Sequence, residues 1–309
     1  MKIIFIVPPQ VHLLDITGPA HIFYEAKMLH PEIELCFASI DTTAEVESSA
    51  GLFFSNLKPF SSYCLSKGDY IFIPGIDYSL LSDSGFLESI QDFFEWLNIQ
   101  YSAGTNICSV CTGAFLLAEA GLLNHKACTT HWKYFSRFAT KFPETELKRN
   151  RLFVEDSGIY TSAGVSSGID LSLFILEKLY GQKFAFEIAK ITVVYFRRGS
   201  NDPQLSVFLQ YKNHLEDRVY AAQQYIFEHL SEKLQLEAIA DHVNMSPRNL
   251  TRLFKKTTGI TIGEYLKKVR AERANHLLST GHKLDYVAAQ CGFDSDKQLR
   301  RLLKTHQLS

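Results

Sequence analysis

Cys111 follows the apolar run Ile107 to Val110 and precedes the apolar stretch Ala114 to Ala120, with Thr112 beside it and Gly113 two residues on. A cysteine between an apolar strand and an apolar helix has the layout of a strand-turn-helix elbow, which holds a nucleophile in a strained turn. The helix start there favours thiolate. The same residue types also suit a small buried cysteine packed at a turn. Other polar groups close neighbouring apolar runs: Asp15 with Gly18 and Pro19, Pro74 with Gly75, and the turn from Ser162 to Val165. His131, in TTHWKYF, offers a base or a ring anchored by its neighbours. Ligands of open sheets gather beyond the carboxyl ends of the strands. The expected ligand site is therefore Asp15, Gly18, Gly75, Cys111, Thr112, His131, Ser162, Gly164 and Val165. A working nucleophile also needs a base and an orienting group. Were the chain an enzyme, Cys111, Asp15 and Thr112 would be its catalytic candidates.

A second chemistry is written twice near the carboxyl end. Residues 236–256 read LEAIADHVNMSPRNLTRLFKK and residues 284–304 read LDYVAAQCGFDSDKQLRRLLK. In each copy a small residue, Ala240 or Ala288, sits where two helices must nearly touch. Four residues later Asn244 or Gly292 offers the left-handed backbone of a tight turn. Ser246 with Pro247, and Asp294 or Ser295, are helix-start residues. Leu250, Leu253 and Phe254, and in the repeat Leu299, Leu302 and Leu303, share a face that predicts a core. The opposite faces carry Ser246, Arg248, Asn249, Thr251, Arg252, Lys255 and Lys256, and then Ser295, Lys297, Gln298, Arg300, Arg301 and Lys304. One such helix is what any solvated surface shows; two in the same order predict DNA binding. Arg248 and Arg252 are the expected base readers and Asn249 an adenine reader. Lys255, Lys256 and Lys304 suit phosphates.

The elements that must hold these groups fall into two halves. Residues 211–309 contain 16 basic and 11 acidic side chains, net +5; residues 1–210 contain 16 and 22, net −6, which together give the chain's −1. Such asymmetry is expected when one domain approaches phosphates and the other does not. In the first half short apolar runs (KIIFIV, IELCFAS, DYIFIPG, NICSV) alternate with helical periodicity, which predicts an α/β fold with an open parallel sheet flanked by helices. The expected organisation is an α/β domain over 1–195, a linker over 196–213, rich in Gly, Ser, Asn and Pro, and an all-α domain over 214–309 with two helix-turn-helix units. Pro8 and Pro9 stop the opening apolar run short of a signal peptide or membrane span. Six scattered cysteines suit a reducing cytosol, and the lone Cys108-x-x-Cys111 pair has no partners for a zinc site. A cytoplasmic protein with no membrane partner, no metal and no cofactor is expected.

The stretches LLDITGP, DYIFIPG, SVCTGAFLLAEAGLL, ACTTHW and YTSAGVSSGIDLSLFILEKLYG resemble the class I glutamine amidotransferase-like (PfpI-like) domain, a flavodoxin-like architecture. The carboxyl half resembles the AraC/XylS DNA-binding domain. The resemblance spans nearly the whole chain and implies a transcriptional regulator. Its first domain would bind a small effector, often amino-acid or amine derived, and dimerise, while its second binds promoter DNA. RNA polymerase would be a further partner at a promoter. PfpI-like proteases carry His after the cysteine where this chain has Thr112, which argues against hydrolysis. The set Asp15, Cys111, Thr112 is similar instead to the isonitrile hydratase branch, so a hydratase-like or amidase-like cysteine enzyme fused to a DNA-binding domain is the alternative. The resemblance also implies a Gly-x-Ser-Pro turn and closing helix after the second unit, where this chain reads HQLS; Leu302, Leu303 and Leu308 are then expected to be partly uncovered.

Overall fold

The computed structural model describes residues 1–149, 151–194, 198–200, 204–212, 214–279 and 281–306. The chain divides into two compact units, Met1–Gln204 and Leu205–Ser309.

The run KIIFIV forms an interior strand, β1 (Lys2–Val7), of a seven-stranded sheet. Its companions are β2 (Glu34–Ser39), β3 (Lys58–Pro59), β4 (Tyr70–Ile73), β5 (Asn106–Val110), β6 (Phe153–Asp156) and β7 (Ile159–Ser162). The order is β6-β7-β5-β4-β1-β2-β3, parallel throughout except for the antiparallel β6–β7 hairpin. Strands buried on both faces must be apolar at every position, and alternation then sends neighbours to opposite layers. Ile3, Phe5 and Val7 pack in one core with Phe23, Leu173 and Ile188. Ile4 and Ile6 pack in the other with Phe93, Leu97, Leu116 and Phe138. The helices that close these layers are α1 (Leu13–Leu29), α2 (Gln91–Ser102), α3 (Gly113–Glu119), α4 (Ser166–Tyr180) and α5 (Gln182–Ile191). The expected open parallel sheet with helical cover is what the first unit adopts.

One expectation about its local structure is corrected. Asp15, Gly18 and Pro19 do not lie at a strand end; α1 already starts at Leu13 and carries them in its first two turns. Pro19 is tolerated inside the helix, where its missing amide leaves the Asp15 carbonyl without its intrahelical donor.

The second unit is helical: α6 (Val207–Gln210), α7 (Asp217–Glu228), α8 (Leu236–His242), α9 (Pro247–Thr258), α10 (Ile262–Ser279), α11 (Leu284–Gln290) and α12 (Asp296–His306). It holds two cores. Val219, Ile226, Ile239, Leu250, Phe254 and Tyr265 build the first, and Ala274, Val287, Ala288, Cys291 and Leu299 the second. Helix α10 serves both, giving Tyr265 to one and Ala274 to the other. Ala240 and Ala288 are buried as their spacing predicts, and Asn244 (φ 53°) and Gly292 (φ 68°) take the left-handed turn.

The segment expected as linker, 196–213, is divided between the units. Arg198 donates from Nε to the buried Asp170 carboxylate at 2.9 Å and from Nη2 to Ser166 Oγ at 2.8 Å. Gln204 Nε2 donates to Thr129 Oγ1, Thr130 O and Arg151 O at 3.0, 2.9 and 3.1 Å. Val207, by contrast, donates its amide to Glu272 within the second unit. Phe196, Arg197, Asn201, Asp202, Pro203 and Asn213 of that stretch lie outside the described residues. Among the described residues no helix is long and apolar enough to cross a membrane.

Candidate functional site

Cys111 sits where β5 ends and α3 begins, with φ of 59°. A non-glycine residue in this region is held by its surroundings. Its amide donates to Ser162 O at 3.0 Å, and its carbonyl accepts from Thr130 Oγ1 at 2.9 Å. Val165 (φ 51°), at the turn from β7 into α4, is a second strained residue; its amide donates to Asp15 Oδ1 at 2.6 Å. The first turn of α1, the β5–α3 elbow and the β7–α4 turn therefore meet around one carboxylate and one thiol.

Two glycines make the approach possible. A Cβ on Gly164 would lie 2.7 Å from Cys111 Sγ, and one on Gly75 would lie 2.9 Å from both Cys111 Cβ and Thr112 Oγ1 and closer still to Asp15 Oδ2. Thr112 is buried, and its hydroxyl is consumed by the backbone of Ile76: it accepts from the amide at 3.0 Å and donates to the carbonyl at 2.8 Å. That hydroxyl fixes the loop after β4 rather than facing a ligand.

The electrostatics overturn the expected thiolate. Burial, and then the neighbouring Asp15 through its charge and a hydrogen bond to the thiol, push Cys111 well above its ordinary value of 9.0, while Thr112 acts in the opposite direction. A seven-residue helix contributes partial charge at its first turn, whereas full desolvation of a thiolate costs more. His131 is lowered by burial, and its Nδ1 is buried without a partner among the described residues. It heads the short turn Trp132–Tyr134 next to Thr130. Asp15 Oδ2 is likewise buried with no hydrogen-bond partner among the described residues, and His12 Nδ1 lies 3.4 Å from it. His12 was not among the expected site residues. Its signal was present in its place three residues before Asp15, but only the helix start at Leu13 turns that spacing into proximity.

Of the nine expected ligand-site residues, Asp15, Gly75, Cys111, Thr112, Gly164 and Val165 converge. Ser162 contributes its carbonyl, while its hydroxyl donates to Ser109 O inside the sheet at 3.3 Å. Gly18 belongs elsewhere: a Cβ there would touch Ile169 at 3.1 Å, so it seats α1 on α4. Cys108 is a free thiol buried in β5.

In the second unit Arg248, Asn249, Arg252, Lys255 and Lys256 are exposed on α9, opposite the buried Leu250 and Phe254. Ser246 is occupied in capping, accepting from the Asn249 amide at 3.4 Å, and Thr251 donates to Pro247 O at 2.9 Å. Lys297, Arg300, Arg301 and Lys304 are exposed on α12, with Ser295 exposed just before it. Arg300 Nε lies 3.5 Å from Asp296, and Gln298 Oε1 accepts from the Asp294 amide at 3.3 Å, so Gln298 helps start its own helix. Leu302 and Leu303 are half-buried, as expected; Leu308 lies outside the described residues.

A parallel sheet with a strained cysteine elbow, followed by paired helix-turn-helix units, defines a two-part protein. The chain belongs to the DJ-1/PfpI family, whose model matches residues 1–178, and a helix-turn-helix domain model matches residues 239–307. It is 29% identical over 206 residues to the HTH-type transcriptional regulator GbdR of Pseudomonas aeruginosa, covering 66% of this chain and 56% of that relative. The chain thus spans little more than half of that regulator's length. To the regulator CdhR of the same organism it is 28% identical over 244 residues, 77% of this chain and 69% of the relative. To the isonitrile hydratase of Pseudomonas putida it is 31% identical over 183 residues, 59% of this chain and 73% of the relative. Among solved structures, the AraC family transcriptional regulator from Pseudomonas putida superposes with a TM-score of 0.52 at 19% identity, over 62% of this chain and 98% of that one, a likeness of fold alone.

Proposed function

We propose that this protein is a sequence-specific DNA-binding transcriptional regulator whose first unit binds a small-molecule effector beside Asp15 and Cys111. One observation carries the reading: the same left-handed turn and buried alanine occur twice, each time followed by a helix that presents exposed cations. Two such helices suit successive major-groove faces about one helical turn apart. Arg252 and Arg248 read base edges, and Lys255, Lys256 and Lys304 hold phosphates of promoter DNA. The regulator relatives support the same reading. The protein works in the cytoplasm as a homodimer and meets RNA polymerase at its promoters.

The effector site has a physical basis in Asp15 Oδ2 and His131 Nδ1, two buried polar atoms without a hydrogen-bond partner among the described residues. Val165 and Trp132 are 44% and 46% exposed next to it, so the apolar rim is open to a ligand. The chain leaving the first unit is tied one residue from this site on both sides: Arg198 to Ser166, beside Val165, and Gln204 to Thr130, beside His131. A ligand that moves either turn moves the segment that leads to the DNA-binding unit, which is the differential interaction an effector requires. The enzyme reading rests on the likeness to isonitrile hydratase. It is disfavoured because the Thr112 hydroxyl is saturated by Ile76 and the thiol is held protonated.

The test is binding of the full chain to fragments of its neighbouring promoters at graded salt. Salt-sensitive affinity for one fragment over others is expected. Equal affinity for all fragments, or none, overturns the reading. Turnover of isonitriles that disappears in Cys111→Ala would favour the enzyme instead.

A further inference from the structure

We infer that His12, Asp15 and Cys111 form a binding site for a divalent transition-metal ion of the zinc class. One nitrogen, one oxygen and one sulfur atom from these residues all lie within 4.8 Å of one another. The His12 Nδ1 to Asp15 Oδ2 separation is 3.4 Å, which is the spacing of neighbouring ligands when each bonds the same ion at about 2.0–2.3 Å in a tetrahedron.

A second observation points to a ligand independently of this proximity. Asp15 Oδ2 is wholly buried and finds no donor in hydrogen-bonding geometry among the described residues, the Cys111 thiol being its near neighbour, although its partner oxygen is anchored by the Val165 amide. A buried carboxylate oxygen without a donor is costly. An ion between it and the thiol removes that cost. Gly75 leaves the Asp15–Cys111 approach open, since any side chain there would fill it. The carboxylate is fixed on a helix, the thiol is fixed by a strained turn, and the His12 side chain, 34% exposed, is the entry from solvent.

The donor set selects the ion. Thiolate, imidazole and carboxylate together suit Zn²⁺ and Co²⁺, not Mg²⁺ or Ca²⁺, which take oxygen donors. Three protein ligands leave a fourth position open, as in sites that bind an exchangeable molecule. On binding, the sulfur–metal bond forms as the Cys111 thiol releases its proton to water; no electron is transferred. The inference stands on the first unit's geometry and does not depend on DNA binding. A chain that binds DNA but not the ion refutes this inference alone.

The experiment is titration of the full, chelator-treated chain with Co²⁺, in a Cys64→Ser background because Cys64 is an exposed thiol. One equivalent is expected to produce thiolate-to-cobalt charge-transfer absorption in the near ultraviolet and tetrahedral visible bands, displaced by Zn²⁺. Cys111→Ser should abolish the charge-transfer band. His12→Gln, at a partly exposed position that leaves the buried pair intact, should weaken binding about tenfold or more. Circular dichroism of both variants should match the parent. Absence of the band in the parent, its persistence in Cys111→Ser, or unchanged affinity in His12→Gln would each overturn the site.

Discussion

At Cys111 burial outweighs the helix dipole, and this decides its reactivity. The exposed Cys64 should alkylate with iodoacetamide near neutral pH, while Cys111 reacts only slowly and gains rate as pH rises well past 9.0. Peptide mapping across a pH series checks this; equal rates at neutral pH would show a stabilised thiolate. The linkage has a definite sign. Cys111, with Cys36 pushed up to about 11 and Cys128 to about 12, ionises later in the folded chain than unfolded. Stability from these groups is present below the ordinary thiol value of 9.0 and falls as pH rises through it. Gly164→Ala places a methyl against Cys111 Sγ at a φ of 105°, where an L side chain is already strained. It should cost about 3 kcal/mol or more in denaturant unfolding of the first unit. The sequence placed Cys111 at an elbow and Asp15 near it through the family's motifs. It did not expose His12, the unpartnered oxygen or the saturated Thr112 hydroxyl, because those depend on distances between turns far apart in the chain.

At the level of elements, the two helix-turn-helix units solve one turn in two ways. Asn244 takes the left-handed turn on its own, whereas Gly292 is also crowded: a Cβ there would lie 2.6 Å from Leu230 O and closer to the Arg270 guanidinium. Arg270 donates to Glu232 O at 2.7 Å and lies over the Phe293 ring at 5.4 Å, so it pins the second turn to the α7–α8 connection. Gly292→Ala should therefore destabilise the second unit's helices by about 2 kcal/mol, and Asn244→Gly should change stability by less than about 1 kcal/mol. Thermal unfolding of the full chain separates the two; equal losses would mean that the turn conformation alone matters. Both turns were legible from residue type and spacing. The crowding at Gly292 was not, since its neighbours come from α10 and from the α7–α8 connection. The stripes on α9 and α12 were also legible, but Ser246, Thr251 and Gln298 proved to be partly engaged by their own helices.

For the whole molecule, charge is divided along the chain, −6 over residues 1–210 and +5 over 211–309. DNA affinity should fall steeply with salt, and Lys255→Ala should lower it on every sequence while reducing the salt slope by about 1. Arg252→Ala should instead relax preference between fragments by about 1–3 kcal/mol; a uniform loss would move Arg252 to a phosphate. The second helix-turn-helix core is built from small residues around Ala288 and Leu299, whereas the first contains Phe254 and Tyr265. Hydrogen exchange should therefore be faster in α11 and α12 than in α8 and α9. Equal protection would show that α10 couples the two cores fully.

Local chemistry along the chain was enough to specify the apolar strands, the doubled turn, and the segregation of charge, because each depends on periodicity or on neighbours within a few residues. Only the folded chain decided that α1 begins early enough to bring His12 and Asp15 to Cys111, that burial keeps the thiol protonated, and that Arg198 and Gln204 tie the departing chain beside the site. These rest on desolvation and on contacts between segments as much as 150 residues apart, which no local pattern encodes.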